Sequence, residues 1–258
     1  MKFLLTYFLI QATIRITLSN SISPRIAYGD IAEPGQFPYH VLFKIDDDYG
    51  YNWCGGVLLS ENYILTAGDC LEIGNPRKAY LGITNISDAS ENIVRLSIDP
   101  ETDFILSPNG KLGLVKINQN LKFSDFIKPA ILTDLTLTQE NLQGKYATLT
   151  GFGVPLTRHA DTSKFLRYIE IPIVSSDICE KSYPYFFDNT FLCASSAEGK
   201  SFCFGDQGGP LVIKDSNDQN IVIGIAYAQG YCGDTKSPGT YIRLTSYLDW
   251  IKKTMNLK

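Results

Sequence analysis

Histidine, the side chain that most often moves protons in enzymes, occurs at two positions of this 258-residue chain, His40 and His159. His40 follows Phe-Pro-Tyr and His159 lies in a polar segment, so neither belongs to a metal-binding or nucleophile-activating spacing. The six cysteines contain no CxxC pair and the chain has no HExxH motif. We therefore predict no metal site and no cofactor, with His40 at the surface or hydrogen-bonded and His159 in a loop.

Several short segments carry the residue types of a hydrolytic site in a fixed order along the chain. They are RIAYG at 25–29, CGG at 54–56, LTAGDC at 65–70, GFG at 151–153, CFGDQGGP at 203–210 and SPGTY at 237–241. In this order they resemble the trypsin/chymotrypsin family of serine proteases, over nearly everything from Ile26 to Lys258. The resemblance implies an all-β fold of two antiparallel six-stranded β-barrels with a C-terminal α-helix, and a site at the junction of the barrels.

The chain departs from the family at the three positions that do the chemistry. Asp69 stands where the family has its histidine, Gln207 where it has its serine, and Lys111 aligns with its buried aspartate. Peptide hydrolysis of this kind needs a hydroxyl nucleophile, a base that titrates near neutral pH and an acid that orients the base. A glutamine amide is no nucleophile, and aspartate, with a reference pKa of about 3.9, is a weak base. We therefore predict a pseudo-protease with no catalytic residues.

Two of these replacements carry opposite charges. Because an unpaired buried charge is costly, we predict that Asp69 and Lys111 form an ion pair, with Gln207 hydrogen-bonded nearby. The alternative is that the Lys111 side chain extends to solvent, as long amphipathic side chains often do.

Other positions of the family pattern are retained. Gly205 and Gln207 supply the backbone positions of an oxyanion hole. In the family, a cut after a basic residue releases an α-amine that pairs with an internal acid. The resemblance places this cut between Arg25 and Ile26 and makes Asp206 the acid. The alternative is that these residues persist only as inherited packing.

The primary specificity pocket of the family is altered in this chain. Ser201 stands at its base, where an acid would select arginine or lysine, so that preference is not encoded. The remaining pocket positions are Phe204, Ala226, Tyr227, Ala228 and Gly239. The added methyl group of Ala228, with Phe204 and Tyr231 nearby in sequence, predicts a narrowed or closed cleft. The alternative is an unused pocket with apolar walls.

Short β-branched runs separated by Gly, Pro, Asn and Asp support the all-β prediction. The runs are 56–59, 63–66, 92–98, 112–117, 145–150, 166–174, 210–213, 221–228 and 240–244. They divide into an N-terminal barrel at about 26–130 and a C-terminal barrel at about 131–244. A helix is predicted at about 245–256, with Thr245 or Ser246 as its cap and Leu248, Ile251 and Met255 on one face.

The N-terminus reads as an export signal followed by a short propeptide. Lys2 precedes an apolar run from Phe3 to Ile10 that is too short to span a membrane, so residues 1–19 are predicted to be a signal peptide and 20–25 a propeptide. An oxidising compartment would allow three disulfides, and the simplest of the possible pairings is local. That pairing joins Cys54 to Cys70, Cys179 to Cys193 and Cys203 to Cys232. Asn85, in Asn-Ile-Ser, is a candidate for N-glycosylation.

Composition narrows the classes of partner. The chain has an ordinary globular composition, 44% hydrophobic and 19% charged, with a net charge of −4. A negative chain is poorly suited to binding phosphate backbones, so we expect no nucleic-acid partner, and we expect no membrane partner. We predict a secreted, extracellular monomer that acts by binding other proteins.

The short prosegment and the complete loss of the triad most resemble the inactivated protease paralogues of the scabies mite, relatives of the mite group 3 allergen proteases. This resemblance implies that the partners are host or self proteins, including complement components, and that host complement is inhibited. The alternatives are a peptide-sequestering decoy that keeps the cleft, and a protease with residual activity at a remodelled site.

Overall fold

The structure is a computed structural model that describes residues 29–47, 50–72, 78–90, 92–153, 163–228 and 232–257. The predicted signal peptide and propeptide, the Arg25–Ile26 bond, His159 and Tyr231 lie outside the described residues.

Strands dominate the described part of the chain, as the short β-branched runs predict. The strands are β1 (Asp30–Ile31), β2 (His40–Asp47), β3 (Gly50–Ser60), β4 (Tyr63–Ala67), β5 (Lys78–Leu81), β6 (Val94–Ser97), β7 (Phe104–Leu106), β8 (Leu112–Lys116), β9 (Ile131–Leu132), β10 (Tyr146–Gly151), β11 (Arg167–Val174), β12 (Phe191–Ala194), β13 (Pro210–Lys214), β14 (Asn220–Ala228) and β15 (Gly239–Arg243). Each predicted run overlaps one of them. The strands that no run named include β1, β7 and β9, which are too short to show a period.

The strands form two sheets, which confirms the predicted fold class. The first sheet has the order β6-β5-β2-β3-β4-β8-β7. The second has the order β1-β11-β10-β13-β14-β15-β12, and β12 also pairs with β11, which closes this sheet into a barrel. The six strands of the closed ring match the predicted six. The sheet has eight strands in all, because β1 pairs with β11 and β9 pairs in parallel with β14, and neither belongs to the closed ring.

Alternation along β11 shows why the sequence folds this way. Ile169, Ile171 and Ile173 are buried, and Glu170 between them is exposed. Side chains of a strand point to opposite sides in turn, so this period buries one face of the barrel wall. At about 25 cal/mol per Å² of apolar surface removed from water, such strands supply most of the folding free energy.

Short helices connect the strands. They are α1 (Asp69–Glu72), α2 (Pro100–Asp103), α3 (Gln139–Leu142), α4 (Ser176–Ser182) and α5 (Leu248–Met255), with 3-10 turns at Ala197–Gly199 and Leu244–Tyr247. α5 is the predicted C-terminal helix, with Leu248 and Ile251 buried. The predicted cap at Thr245 or Ser246 is wrong. The 3-10 turn occupies these positions, and Tyr247 precedes α5 without a side-chain cap.

The two sheets pack against each other through a continuous apolar core that joins them. Leu65 and Leu114 of the first sheet belong to the same buried cluster as Val212 and Ile225 of the second and Ile251 of α5. The core therefore fixes how the loops of the two sheets face one another.

Within the described residues, no helix is long and apolar enough to cross a bilayer.

Three disulfides brace these loops, and the local pairing predicted from the sequence is confirmed. Cys54 is joined to Cys70, Cys179 to Cys193 and Cys203 to Cys232. Such bridges stabilise a fold by restricting the unfolded chain, and they are typical of proteins that mature in oxidising compartments.

Candidate active-site cleft

The cleft begins where the two sheets approach most closely. A Cβ atom on Gly55 of β3 would lie 2.5 Å from the Cα of Gly209, so only glycine allows this contact. The Gly55 N–H also donates to the carbonyl of Gln207 over 2.7 Å. The segment that carries Gln207 is thereby held against the first sheet, close to the Cys54–Cys70 disulfide.

Asp69 and Gln207 meet across the junction of the two sheets. The Nε2 of Gln207 donates to Oδ2 of Asp69 over 3.2 Å, and both side chains are half-buried. Asp69 is the first residue of α1, directly before Cys70. The sequence analysis predicted a hydrogen bond of Gln207 in this group, and its partner is the carboxylate of Asp69.

The predicted ion pair between Asp69 and Lys111 is wrong. The Lys111 Nζ lies 3.3 Å from Oδ2 of Asp188 and 3.0 Å from Oγ1 of Thr190, and 4.1 Å from the centre of the Phe191 ring. Lys111 extends across the junction to the second sheet, and its side chain is largely covered, at 22% exposure. The alternative of a solvent-extended lysine is wrong as well.

The backbones of the two segments lie in contact even though the Asp69 and Lys111 side chains do not pair. The N–H of Gly68 donates to the carbonyl of Lys111 over 2.8 Å, and a Cβ at Gly68 would lie within 1.7 Å of the Gly110 oxygen. The turn that carries Lys111 therefore presses its backbone against the residue before Asp69. The Lys111 side chain points toward Thr190, which directly precedes β12.

The residues predicted to line the specificity pocket pack closely against Phe202. Phe202 is 3% exposed, and its ring lies 5.4 Å from the ring of Tyr241 in an edge-on contact. A Cβ on Gly239 would lie 3.0 Å from the same phenylalanine ring. Ser201 and Ala226 are buried beside it. The predicted narrowing rested on the methyl group of Ala228, with Phe204 and Tyr231 nearby; Ala228 lines the cavity described next, whereas Phe204 is 78% exposed.

A shallow cavity of about 190 Å³ remains above Phe202. Its walls are Trp53, Phe202, Cys203, Phe204, Gly205, Gln207, Tyr227, Ala228 and Cys232. The two candidate oxyanion-hole positions, Gly205 and Gln207, thus line the same space. The cavity is smaller than the roughly 300–1,000 Å³ of ordinary ligand pockets.

The wall beside this cavity is covered by a second aromatic side chain. The ring of Phe186 stacks on the ring of Tyr227, with centres 5.8 Å apart and planes 6° apart, and lies 4.8 Å from Phe191. Burial, and secondarily the charge of Asp69, raises the pKa of the Tyr227 hydroxyl. Tyr227, a predicted wall residue, is therefore partly covered by Phe186.

Asp206 is buried beneath the cleft without a cation among the described residues. Its carboxylate accepts from the N–H of Gly153 over 2.6 Å and of Cys203 over 2.8 Å. Burial raises the pKa of this carboxyl from 3.8 to about 7, and the two N–H donors oppose that rise. A Cβ at Gly151 or Gly153 would collide with the carboxylate, which explains the glycines of GFG at 151–153.

His40 lies in the interior of the first sheet. Its Nδ1 is 2.9 Å from Oγ1 of Thr150, and its Nε2 has no hydrogen-bond partner among the described residues. Burial lowers the pKa of the imidazole from 6.5 to about 3, so the ring is neutral. Of the two predicted environments, the surface position is wrong, because His40 is 2% exposed.

The remaining candidates lie away from the cleft. Asn85 is half-buried in a turn in which its side-chain oxygen accepts from the N–H of Ser87. No group of three or more metal-ligating side chains occurs in the part of the chain that the structure describes.

Several residues of the cleft escaped the sequence analysis, namely Trp53, Phe186, Asp188, Thr190, Phe191 and Phe202. Phe202 had a usable signal, since a phenylalanine directly follows the pocket-base position. Asp188 had none, because it lies 77 positions from Lys111 and only the tertiary fold joins them.

The sequence of this chain is similar to sequences of known proteins. The sequence model of the family described as Trypsin matches residues 26–251. The chain is 31% identical over 272 residues to the collagenase of Hypoderma lineatum, covering 100% of this chain and 99% of that protein. It is 30% identical over 251 residues to the ovochymase of Halocynthia roretzi, covering 93% of this chain and 16% of that protein. It is 29% identical over 245 residues to the serine proteinase stubble of Drosophila melanogaster, covering 88% of this chain and 30% of that protein. The chain therefore spans nearly the whole collagenase but only a small part of the other two relatives.

Proposed function

This chain belongs to the Trypsin family, and from that premise we propose that it is a secreted, proteolytically inactive homologue that acts by binding other proteins. The observation that carries the proposal is the contact between Gln207 and Asp69. In an active member the same contact joins a hydroxyl nucleophile to a base that titrates near neutral pH. Here a neutral amide donates to a carboxylate, and neither group can attack a peptide carbonyl.

The environment of this contact also supports inactivity. Lys111, at the position that would orient the base, is engaged by Asp188 and Thr190 on the other sheet. His40, the histidine within the described residues, is buried away from solvent with a pKa of about 3. A remodelled site with residual activity would need a solvent-accessible base near pH 7 in the cleft. Asp206 has a pKa of about 7, but it is fully buried beneath the cleft and cannot reach a substrate.

The occupied cleft argues for binding through another surface. A decoy that sequesters peptides would need a free pocket and a free peptide-binding wall. Phe202 fills most of the pocket and Phe186 covers Tyr227. We therefore favour protein recognition by the outer loops, and we propose host proteins, complement components among them, as the partners.

Two measurements test this function. We expect no stoichiometric labelling of the chain, cut after Arg25, by a fluorophosphonate, and no turnover of a broad panel of peptide esters. An active member of the family is the positive control for labelling, and Gln207→Ser is the matched negative control, because it restores the hydroxyl without the base that activates it. Labelling of the unchanged chain, or turnover by material free of contaminating peptidases, would overturn the proposal.

A partner test completes the assignment. The recombinant chain is immobilised, exposed to human plasma, and then added to a complement lysis assay. We expect retention of plasma proteins and reduced lysis. Retention without any effect on lysis would remove complement as the target and leave protein binding in place. The absence of any retained protein would overturn the binding function.

A further inference from the structure

The loop at residues 183–190, between α4 and β12, carries two neighbouring aromatic side chains at its tip, of which Phe186 packs on the second sheet and Tyr185 does not. Tyr185 is fully exposed, at 102% of its reference surface, and directly follows Pro184. Its neighbour Phe186 is still 40% exposed although it stacks on Tyr227. The Tyr185 ring is therefore free to enter the surface of a partner without first breaking contacts within the chain.

The base of this loop is tightly fixed. The hydroxyl of Tyr183 donates to the carbonyl of Pro238 over 2.6 Å, and the N–H of Thr190 donates to Oδ1 of Asp188 over 2.7 Å. Phe186 packs between the rings of Phe191 and Tyr227, while the Cys179–Cys193 disulfide joins α4 to β12. Both ends of the loop are therefore anchored to the second sheet.

Lys111 adds an anchor from the first sheet. Its ammonium binds Asp188 and Thr190 and lies over the ring of Phe191. Burial raises the pKa of Asp188, but hydrogen bonds from Thr190 and then from Lys111 outweigh it, so the pKa of this carboxyl is lowered and the residue stays charged. The residue at a former catalytic position thus holds the loop from a second side, and the tip is presented on a rigid base.

Charge around the tip narrows the kind of partner. Asp177 and Glu180 of the adjoining α4 are exposed, whereas the charge of Asp188 at the loop base is balanced by Lys111. Lys181 is the exposed basic residue of the segment from 176 to 190. An anionic lipid surface would repel this arrangement, whereas a protein pocket rimmed by lysine or arginine would attract it.

We propose that the 183–190 loop is a protein-docking site, in which the Tyr185 ring enters an apolar, basic-rimmed pocket of a partner protein. The inference rests on the proposed function, and names the surface that performs it. Tyrosine is a frequent anchor of protein interfaces, because it offers a large ring with few rotatable bonds. A loop that is already ordered loses little entropy on binding, which favours a tight complex.

Site-specific photo-crosslinking provides the first test. The photoreactive residue p-benzoylphenylalanine replaces Tyr185 in one variant and Tyr146 in another, and each is irradiated in human plasma. Tyr146 is the matched control, since it is 66% exposed on β10. We expect a covalent adduct at position 185 and none at 146. No adduct at 185, or equal adducts at both positions, would overturn the inference.

Affinity measurements with the purified cross-linked protein provide the second test. We expect Tyr185→Ala to raise Kd by about ten-fold or more, as for a central anchor, and Tyr146→Ala to change it by less than about two-fold. The double variant Asp177→Asn/Glu180→Gln should weaken binding at low salt and reduce its salt dependence. An unchanged Kd for Tyr185→Ala, or tighter binding by the double variant, would contradict the proposal.

Further experiments separate the role of the loop's anchor, a membrane partner and the proposed function. Lys111→Met keeps Tyr185 but removes one anchor, so we expect faster amide hydrogen exchange in residues 183–190 and weaker binding. Cosedimentation with vesicles of phosphatidylcholine and phosphatidylserine that depends on Tyr185 would assign a membrane instead, and would overturn the inference. If plasma proteins bind the Tyr185→Ala variant as well as the unchanged chain, this inference fails while the proposed function stands.

Discussion

The Lys111 ammonium lies 3.3 Å from the Asp188 carboxylate, and this contact crosses from one sheet to the other. In the family, the position of Lys111 serves the catalytic base. Here it stabilises the loop that covers the peptide-binding wall. In the proposed pseudo-protease, the residue at this position has a structural role in place of a catalytic one.

We expect Lys111→Met to destabilise the protein by about 1 kcal/mol, because it removes a partly buried hydrogen-bonded ion pair and a cation–π contact. The measurement is the urea midpoint of unfolding. The control is Lys214→Met, which removes an exposed ion pair to Asp218 with side-chain exposures of 51% and 87%. That control should leave the midpoint unchanged, and equal midpoints for both variants would contradict this role of Lys111.

Restoring the triad by the triple variant Asp69→His/Lys111→Asp/Gln207→Ser should give little peptidase activity. Phe202 is buried next to the predicted pocket base and Phe186 stacks on Tyr227, and a substrate displaced by about 1 Å can lose about 100-fold in rate. The comparison is kcat/KM on a peptide ester panel against an active family member. Adding Phe202→Ser to the triple variant should raise activity if the protein still folds, as judged by near-UV circular dichroism. Robust activity of the triple variant alone would show that the pocket is accessible.

The chain with an intact Arg25–Ile26 bond should lose stability as pH rises from about 4 to about 7. The folded pKa of Asp206, about 7, lies above its unfolded value of 3.8, so the folded state holds the proton more tightly. The stabilisation is complete below pH 3.8 and disappears as pH passes the folded pKa. Asp206→Asn should remove this slope in plots of the unfolding free energy against pH. A slope that survives in the variant would assign the effect to other groups.

Cleavage between Arg25 and Ile26 should reverse this dependence. We expect the new amine of Ile26 to pair with Asp206, to lower the pKa of that carboxyl and to raise the Tm at pH 7.5 by about 5 °C. Calorimetry of the cut and uncut forms measures the change. An Arg25→Gln chain, which resists a trypsin-like cut there, is the control. N-terminal sequencing of the secreted protein should begin at Ile26, and an intact earlier start would contradict processing at this bond.

Acidification should destabilise the protein through His40. Its folded pKa of about 3 lies below its unfolded value of 6.5, so the unfolded state takes up the proton first. The contribution is fully present above pH 6.5 and is lost as pH falls toward 3. His40→Gln can keep the hydrogen bond to Thr150 and does not titrate, so it should resist acid better. Equal acid sensitivity of both chains would exclude His40 as the cause.

Residue patterns were sufficient for the fold and for part of the site. The alternation in β11 and the ordered motifs predicted the sheets, and the cysteine spacing predicted the disulfides. The partner of Lys111 could not be predicted, because a lysine can reach several acids and its direction depends on how the Gly110 turn presses on Gly68. Which of Phe202 and Phe204 is buried could not be predicted from the sequence either. Both are phenylalanines of one short segment, and only the backbone geometry decides that the first is buried and the second exposed.

Packing of the Phe202 ring has a consequence for how such a protein evolves. A working protease must maintain a solvent-filled hollow beside its core, and hollows weaken a fold because their walls lack contacts. Once turnover is no longer selected, an aromatic residue can convert that hollow into interior packing and make the molecule more rigid. Proteins descended from such an enzyme can then gain stability at the position where the active enzyme needed an empty pocket.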